Sequence, residues 1–247
     1  MHRSPTRLRV ACLLFCMAGH AVASEFAVTP VSVALSPAHA TESLTVRNPQ
    51  ARTLRFSIVL KRWTMDSSGQ WQLTESNDLV LNPRMLEVPA GQSKLLRVGS
   101  LAPMAESEIA YRIEMAELPD PQFKSGKTNG FGLQVLTNLS LPVFVLPRAP
   151  RPVFSISKAR IEKGVLVMLV NADGNVHLGA QAAALRVNGT GAVQKVYVGY
   201  VLPGSHVEVK VPLEKSECAG FTSLSLTVAE TTEPLTASLT GPRGCGG

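Results

Sequence analysis

The chain has 247 residues, of which 45% are hydrophobic and only 17% charged, with 24 basic and 18 acidic residues. That length allows one large domain or two ordinary ones, with a substantial core in either case. Basic residues never cluster with interleaved aromatics, so a nucleic-acid-binding surface is excluded from the expectations.

Taken in chain order, the first 23 residues read as an export signal. Arg3, Arg7 and Arg9 form a positive n-region, Val10 to Met17 an apolar core, and Ala21-Val22-Ala23 a small-x-small cleavage site before Ser24. The apolar run is too short to span a bilayer and no later run approaches twenty apolar residues, so no membrane span is expected. Cys16 follows Phe15, where lipid attachment needs a small residue. Removing the signal takes three arginines and no acid, leaving 21 basic against 18 acidic residues and a mildly cationic mature chain. It also removes Cys12 and Cys16. Cys218 and Cys245 remain, and in an oxidising compartment they are expected to pair; the alternative is two free thiols on a loop and a tail.

Strand signals then dominate. Phe26 to Ser36 and Ser43 to Asn48 alternate in polarity. Leu54 to Trp63 is a longer run that stops at the turn Asp66-Ser67-Ser68-Gly69, and Trp71 to Leu73 resumes after it as a hairpin. Met85 to Val88 and Lys94 to Val98 flank Pro89-Ala90-Gly91, and Ile109 to Glu117 ends before Pro119 and Pro121. Next comes the loop KSGKTNGFG and the stretch LQVLTNLSLPVFVLP, from Leu133 to Pro147. Leu133, Val135, Leu139, Leu141 and Val143 recur at period two, with Thr137 the polar interruption, which predicts one long amphipathic strand. A long strand beside a flexible loop can pair with a strand of another protein.

Pro147, Pro150 and Pro152, with Arg148 and Arg151, predict a stiff linker over residues 148–152. Six further strand signals follow: Phe154 to Ile161, Val165 to Asn171, Ala183 to Val187, Gln194 to Val201, His206 to Val211 and Phe221 to Ala229. No helical period lasts ten residues. The reading is all-β, with sandwich domains at 24–147 and 153–247.

The catalytic search is negative. His39, His177 and His206 are scattered, none at metal-ligand spacing, and no nucleophile elbow, zinc-protease helix, phosphate loop or dinucleotide fingerprint occurs. Glu114 and Glu117 are three apart on a predicted strand and so point to opposite faces. No enzyme activity, cofactor or metal is expected. The rival classes are an exported adhesin or carbohydrate-binding sandwich, which needs an aromatic platform, and a sandwich metalloenzyme, which needs more histidines.

Several segments in order resemble the periplasmic chaperones of the chaperone–usher pilus pathway, the PapD-like group. They are Pro30-Val31-Ser32-Val33, SLTVRN ending at Asn48, KRW at Lys61 to Trp63, NPRMLEVPAGQSKLLRV from Asn82, YRIEMAELP from Tyr111, LSLPVFVLP before the linker and GYVLPGS from Gly199. LPVFVLP and GYVLPGS are most similar to the archaic, spore-coat-U-associated branch. The resemblance implies two immunoglobulin-like β-sandwich domains in a boomerang arrangement, located in the periplasm. It implies partners too: pilin-like subunits with an incomplete immunoglobulin-like fold, and an outer-membrane usher. Such a subunit lacks its last strand, and the chaperone lends one of its own, satisfying the subunit's open main-chain groups. Here Leu133, Val135, Leu139 and Leu141, with Thr137 a poorer filler, would occupy the subunit's groove, each buried apolar side chain contributing roughly 1.5–3 kcal/mol. The other reading is that these residues line the first domain's own core. An exposed edge also permits a self-capping dimer.

In the best-known members two basic residues in the interdomain cleft hold the subunit's terminal carboxylate. The corresponding positions here are Ser32 and Pro142, neither of them basic. Arg112, on the strand predicted to neighbour the lent one, is the first replacement, and Arg148 and Arg151 are the second, since a guanidinium offers a bidentate fork to a carboxylate.

Overall fold

A computed structural model describes residues 26–100, 105–121, 134–188, 193–241 and 244–245. The export signal, the loop KSGKTNGFG and Leu133 lie outside the described residues. Before the linker the strands are β1 (Ala27–Thr29), β2 (Val33–Leu35), β3 (Thr41–Arg47), β4 (Leu54–Met65), β5 (Trp71–Glu75), β6 (Leu79–Asn82), β7 (Met85–Val88), β8 (Ser93–Ser100), β9 (Ile109–Glu117) and β10 (Asn138–Val145). They form two sheets, ordered β1-β3-β8-β6 and β2-β10-β9-β4-β5, with β7 also on β4. Side chains alternate across a strand. Leu54, Phe56, Ile58 and Leu60 of β4 therefore face inward with Ile113 and Met115 of β9, Leu141, Val143 and Val145 of β10, and Leu44, Val46, Leu96 and Val98 of the opposite sheet. Asn48 is buried behind them, its side-chain amide donating to the carbonyls of Arg52 and Val88.

After the linker come β11 (Phe154–Glu162), β12 (Val165–Ala172), β13 (Gln181–Val187), β14 (Gln194–Val198), β15 (His206–Pro212), α1 (Lys215–Gly220), β16 (Ser223–Thr227) and β17 (Leu235–Ser238). Their sheets are β11-β12-β15 and β14-β13-β16-β17. A second core, including Leu166, Met168, Val170, Leu185, Val198, Phe221 and Leu226, lies between them. The all-β, two-sandwich architecture expected above is the one found. Among the described residues no helix is long and apolar enough to cross a membrane.

Several expectations need correction. Phe26 to Ser36 is not one strand: β1 pairs with β3 in one sheet and β2 runs parallel to β10 in the other. Pro30, between them, has no N–H for a ladder. The strand expected from Leu133 to Pro147 is regular only over β10, and Gln134 to Thr137 run outside it. The expected strand to Val201 stops at Val198, and β6, β17 and α1 were too short to leave a periodic signal.

Cys218 is buried in the second core and bonded to Cys245, with 5.9 Å between their Cα atoms. The tail pairs along β11 as well: Gly244 N–H donates to Ile161 O, and Gly164 N–H donates to Gly244 O. Cys245→Ser is therefore expected to cost about 3 kcal/mol in urea unfolding. Neither Cys218 nor Cys245 should be alkylated before reduction; modification of both would contradict the link.

Candidate functional site

The outer face of the β2-β10-β9-β4-β5 sheet carries the site. Residues paired directly across neighbouring strands share a face. Pro142 lies opposite Arg112, Arg112 opposite Lys61, and Lys61 opposite Glu75. Ser32 stands one residue before Val33, which pairs with Val143, so it extends this row past Pro142. The basic charge absent from Ser32 and Pro142 is thus present one strand further along the same row, on Arg112. The next row holds Phe144, Ala110, Trp63 and Leu73.

All of this second row but Leu73 is covered by the other sandwich. Trp63, Ala110, Phe144 and Leu202 form a small buried cluster, with Met65, Leu146 and Tyr200 packed against it. Trp63 is 1% exposed and meets Tyr200 edge-on at 5.2 Å and Trp71 at 4.6 Å. Leu202 N–H points at Met65 Sδ, 3.3 Å away. His177 stacks on Phe144 with ring centroids 3.6 Å apart. Its Nδ1 lies 2.8 Å from each carboxylate oxygen of Glu108, whose side chain is fully buried. Glu108 N–H donates to Asn175 O, and the Asn175 side chain donates to Glu106 O and Ala149 O.

Arg112 is only 7% exposed. Its guanidinium carbon lies 4.4 Å from the Trp63 ring centroid, 4.7 Å from that of Trp71 and 5.7 Å from that of Tyr200. Burial pushes its pKa down, against the opposing influence of Tyr200 and Glu114. Lys61 is engaged with Glu114 at 2.7 Å. Among the described residues the buried side-chain polar atoms without a partner are Trp63 Nε1 and Arg112 Nε, both at this site. Native structures seldom leave such atoms unbonded. Arg148 and Arg151 are exposed on the linker, and their side chains do not join this cluster.

The residues expected on the lent strand divide. Leu141 is buried in the first core and Leu139 packs against it. Thr137 is clamped to the end of β9: Glu117 N–H donates to Thr137 O, and Thr137 N–H donates to the Glu117 carboxylate, which also pairs with Arg52. Ahead of that clamp Val135 is 50% and Leu136 39% exposed. No hydrogen bond joins Gln134, Val135 or Leu136 to another described residue.

The sequence reading missed the roles of Tyr200 and of the Glu108–His177 pair. Tyr200 was within reach as part of GYVLPGS, whereas His177 carried no signal. Among the described residues no group of His, Cys, Asp and Glu is arranged to hold a metal.

The sequence pattern of the pili and flagellar-assembly chaperone family, PapD N-terminal domain, matches residues 25–151, just over half the chain. The chain belongs to this family. Its members are pilus-assembly chaperones and not enzymes. No curated protein matches the chain in sequence. The crystal structure of the class 5 fimbriae chaperone CfaA is 16% identical to this chaperone, with a TM-score of 0.60 over 88% of this chain and 100% of that one. A chain of the CsuC–CsuE chaperone–tip adhesion subunit pre-assembly complex, from archaic chaperone-usher Csu pili of Acinetobacter baumannii, is 16% identical. Its TM-score is 0.61 over 87% of this chain and 98% of that one. A chain of the SafA pilin–SafB chaperone complex of Salmonella enterica is 14% identical, at 0.57 over 87% and 96%. At these identities the likeness carries the fold, and it extends over both sandwiches.

The β4–β5 turn of the chaperone also reaches the second sandwich. Gly69 has φ of +79°, and a Cβ there would collide with His206 O. The Asp66 carboxylate in the same turn is held down to about 2 by the Ser68 hydroxyl, then by the N–H groups of Gln70 and Ser68. A depressed folded-state pKa stabilises fully above the unfolded value and is lost as pH falls through the folded one. The Asp66 side-chain carbonyl should therefore titrate in NMR near pH 2, and a midpoint near the ordinary 3.8 would contradict these bonds. Gly69→Val is expected to part the sandwiches and raise the radius of gyration in small-angle scattering while each stays folded; an unchanged value would contradict the contact.

Proposed function

We propose that this chain is a periplasmic chaperone that binds, folds and caps pilin-like subunits by donor-strand complementation and delivers them to an outer-membrane usher. The observation that carries the reading is the segment ahead of β10. It is exposed, apolar at Val135 and Leu136, free of hydrogen bonds to other described residues over 134–136, and continuous with a strand anchored in the first sandwich. An extended segment in that state supplies main-chain donors and acceptors and apolar side chains to a subunit that lacks a strand. Leu133, Val135, Thr137 and Leu139 are the lent residues. Leu141 serves the chaperone's own core and holds the lent segment in register. The export signal at 1–23 delivers the chain to the periplasm, and domains at 24–147 and 153–247 flank the linker.

Arg112 holds the terminal carboxylate of the subunit, and Arg148 and Arg151, both exposed, are the second candidates for that role. The cross-strand row that relates Arg112 to Ser32 and Pro142 supports that assignment. LPVFVLP and GYVLPGS support placement in the archaic branch. The work is done by strand pairing and burial, so no nucleotide or cofactor enters.

Co-expression with the secreted small proteins encoded nearby, followed by pull-down, tests the reading. A one-to-one complex is expected. Val135→Asp should weaken it at least about tenfold, the equivalent of about 1.4 kcal/mol and the lower end of burying one valine. Arg112→Ala should reduce capture without unfolding the chaperone. A complex indifferent to Val135→Asp would overturn strand lending, and one indifferent to Arg112→Ala would remove Arg112 from the anchor.

A further inference from the structure

A buried charge ordinarily has a counter-ion or a full set of hydrogen bonds. Arg112 has neither. No carboxylate of a described residue forms an ion pair with it. Its Nε is unbonded, and its polar contact is a long one, 3.5 Å from Nη1 to Ser140 O. Three aromatic rings take the place of a counter-ion. Trp63 and Trp71 come from the β4–β5 hairpin of the first sandwich, and Tyr200 follows β14 in the second. The rings brace one another, Trp63 against Trp71 and Tyr200, and Trp71 within 6.4 Å of Tyr200.

Attraction to ring faces holds a guanidinium without using its N–H groups. Apart from the long Nη1 bond to Ser140 O, those groups are left to a ligand, in the flat fork that fits a carboxylate's two oxygens. The charge count favours a ligand with one negative charge. Ser32 and Pro142 beside Arg112 in its row are neutral, and Lys61 is engaged with Glu114. The position of Tyr200 is set in turn by the junction. It lies against His177, which is fixed between Phe144 and the buried Glu108 carboxylate, and it is two residues from Leu202, whose N–H meets Met65.

We infer that Tyr200, together with Trp71, is a positioning residue that completes a carboxylate site around Arg112, so that the site exists only when the two sandwiches are docked. This rests on the reading of Arg112 as the anchor. Its ligand is the free α-carboxylate of an extended polypeptide, and a subunit that ends there is captured by both sandwiches at once.

The chain's two tryptophans, Trp63 and Trp71, both lie at the site, so intrinsic fluorescence reports on it. The probe is an N-acetylated pentapeptide of alternating valine and threonine with a free α-carboxylate, compared with its C-terminal amide. The acid should change the emission saturably and the amide should bind at least tenfold more weakly. Tyr200→Leu should weaken the acid at least fivefold and leave the amide unchanged, while Tyr200→Phe, which restores the ring, should bind as the wild type does. Trp71→Leu, at a residue 46% exposed, should give the same loss with Trp63 as reporter, and it serves where Tyr200→Leu fails to fold. Equal acid binding by wild type, Tyr200→Leu and Trp71→Leu would overturn the positioning role while leaving Arg112 as anchor. If acid and amide bind alike, or Arg112→Ala still binds the acid, the anchor reading fails and this inference fails with it.

Discussion

The two sandwiches meet on Trp63. Strand β4 uses both of its faces: Leu54, Phe56, Ile58 and Leu60 fill the first core, and the opposite face brings Trp63 to the junction. There the indole touches Trp71, Phe144 and Tyr200 and lies beside the Arg112 guanidinium. An indole removed almost wholly from water contributes more apolar contact than most side chains can. Its removal would open a large cavity, and a Trp→Ala change in such a setting costs about 3–5 kcal/mol. The charge on Arg112 is tolerable at this depth because these rings surround it, and one of them belongs to the second sandwich.

The junction therefore behaves as a third, smaller core between the two large ones. It combines apolar contact, a hydrogen-bonded contact of His177 with the buried Glu108 carboxylate, and a close backbone approach at Gly69. Interfaces of this composition fix an angle as well as an adhesion, since ring stacking and a short side-chain hydrogen bond each tolerate little rotation. In the proposed mechanism the lent segment runs into β10 and the anchor sits on β9, and these two strands pair along their length. A subunit held by its main chain along one strand and by its terminus on the next is fixed in register, and register decides which side chain enters which pocket.

Much of the first sandwich was legible from period two alone. The strand expected over Ile109 to Glu117 is β9 residue for residue, and the hairpin at Asp66 to Gly69 joins β4 to β5 as its turn residues implied. Alternation distinguishes the two faces of a sheet but does not say which outer face a second domain will cover. The small core at the junction, to which the buried Trp63 belongs, could therefore not be seen. His177 looked like one scattered histidine because its partner, Glu108, lies on the other sandwich. Leu133 to Pro147 read as a single strand because apolar residues recur throughout. The break before Asn138 comes from Glu117, whose backbone and carboxylate both hold Thr137, and no local pattern encodes that. Arg112 was accessible because strand order, once guessed, puts it opposite Pro142; the rings that hold it were not, since Tyr200 lies far along the chain.

On capture of a subunit, the segment ahead of β10 is proposed to become a strand of another protein. Amide hydrogen exchange on the free chaperone and on its complex with a co-expressed subunit tests this most directly. Fast exchange is expected over residues 134–136 in the free protein and strong protection of alternate amides there in the complex, while β10 itself, already paired with β9 and β2, changes little. Equal exchange over that segment in the two states, with the complex intact, would contradict it.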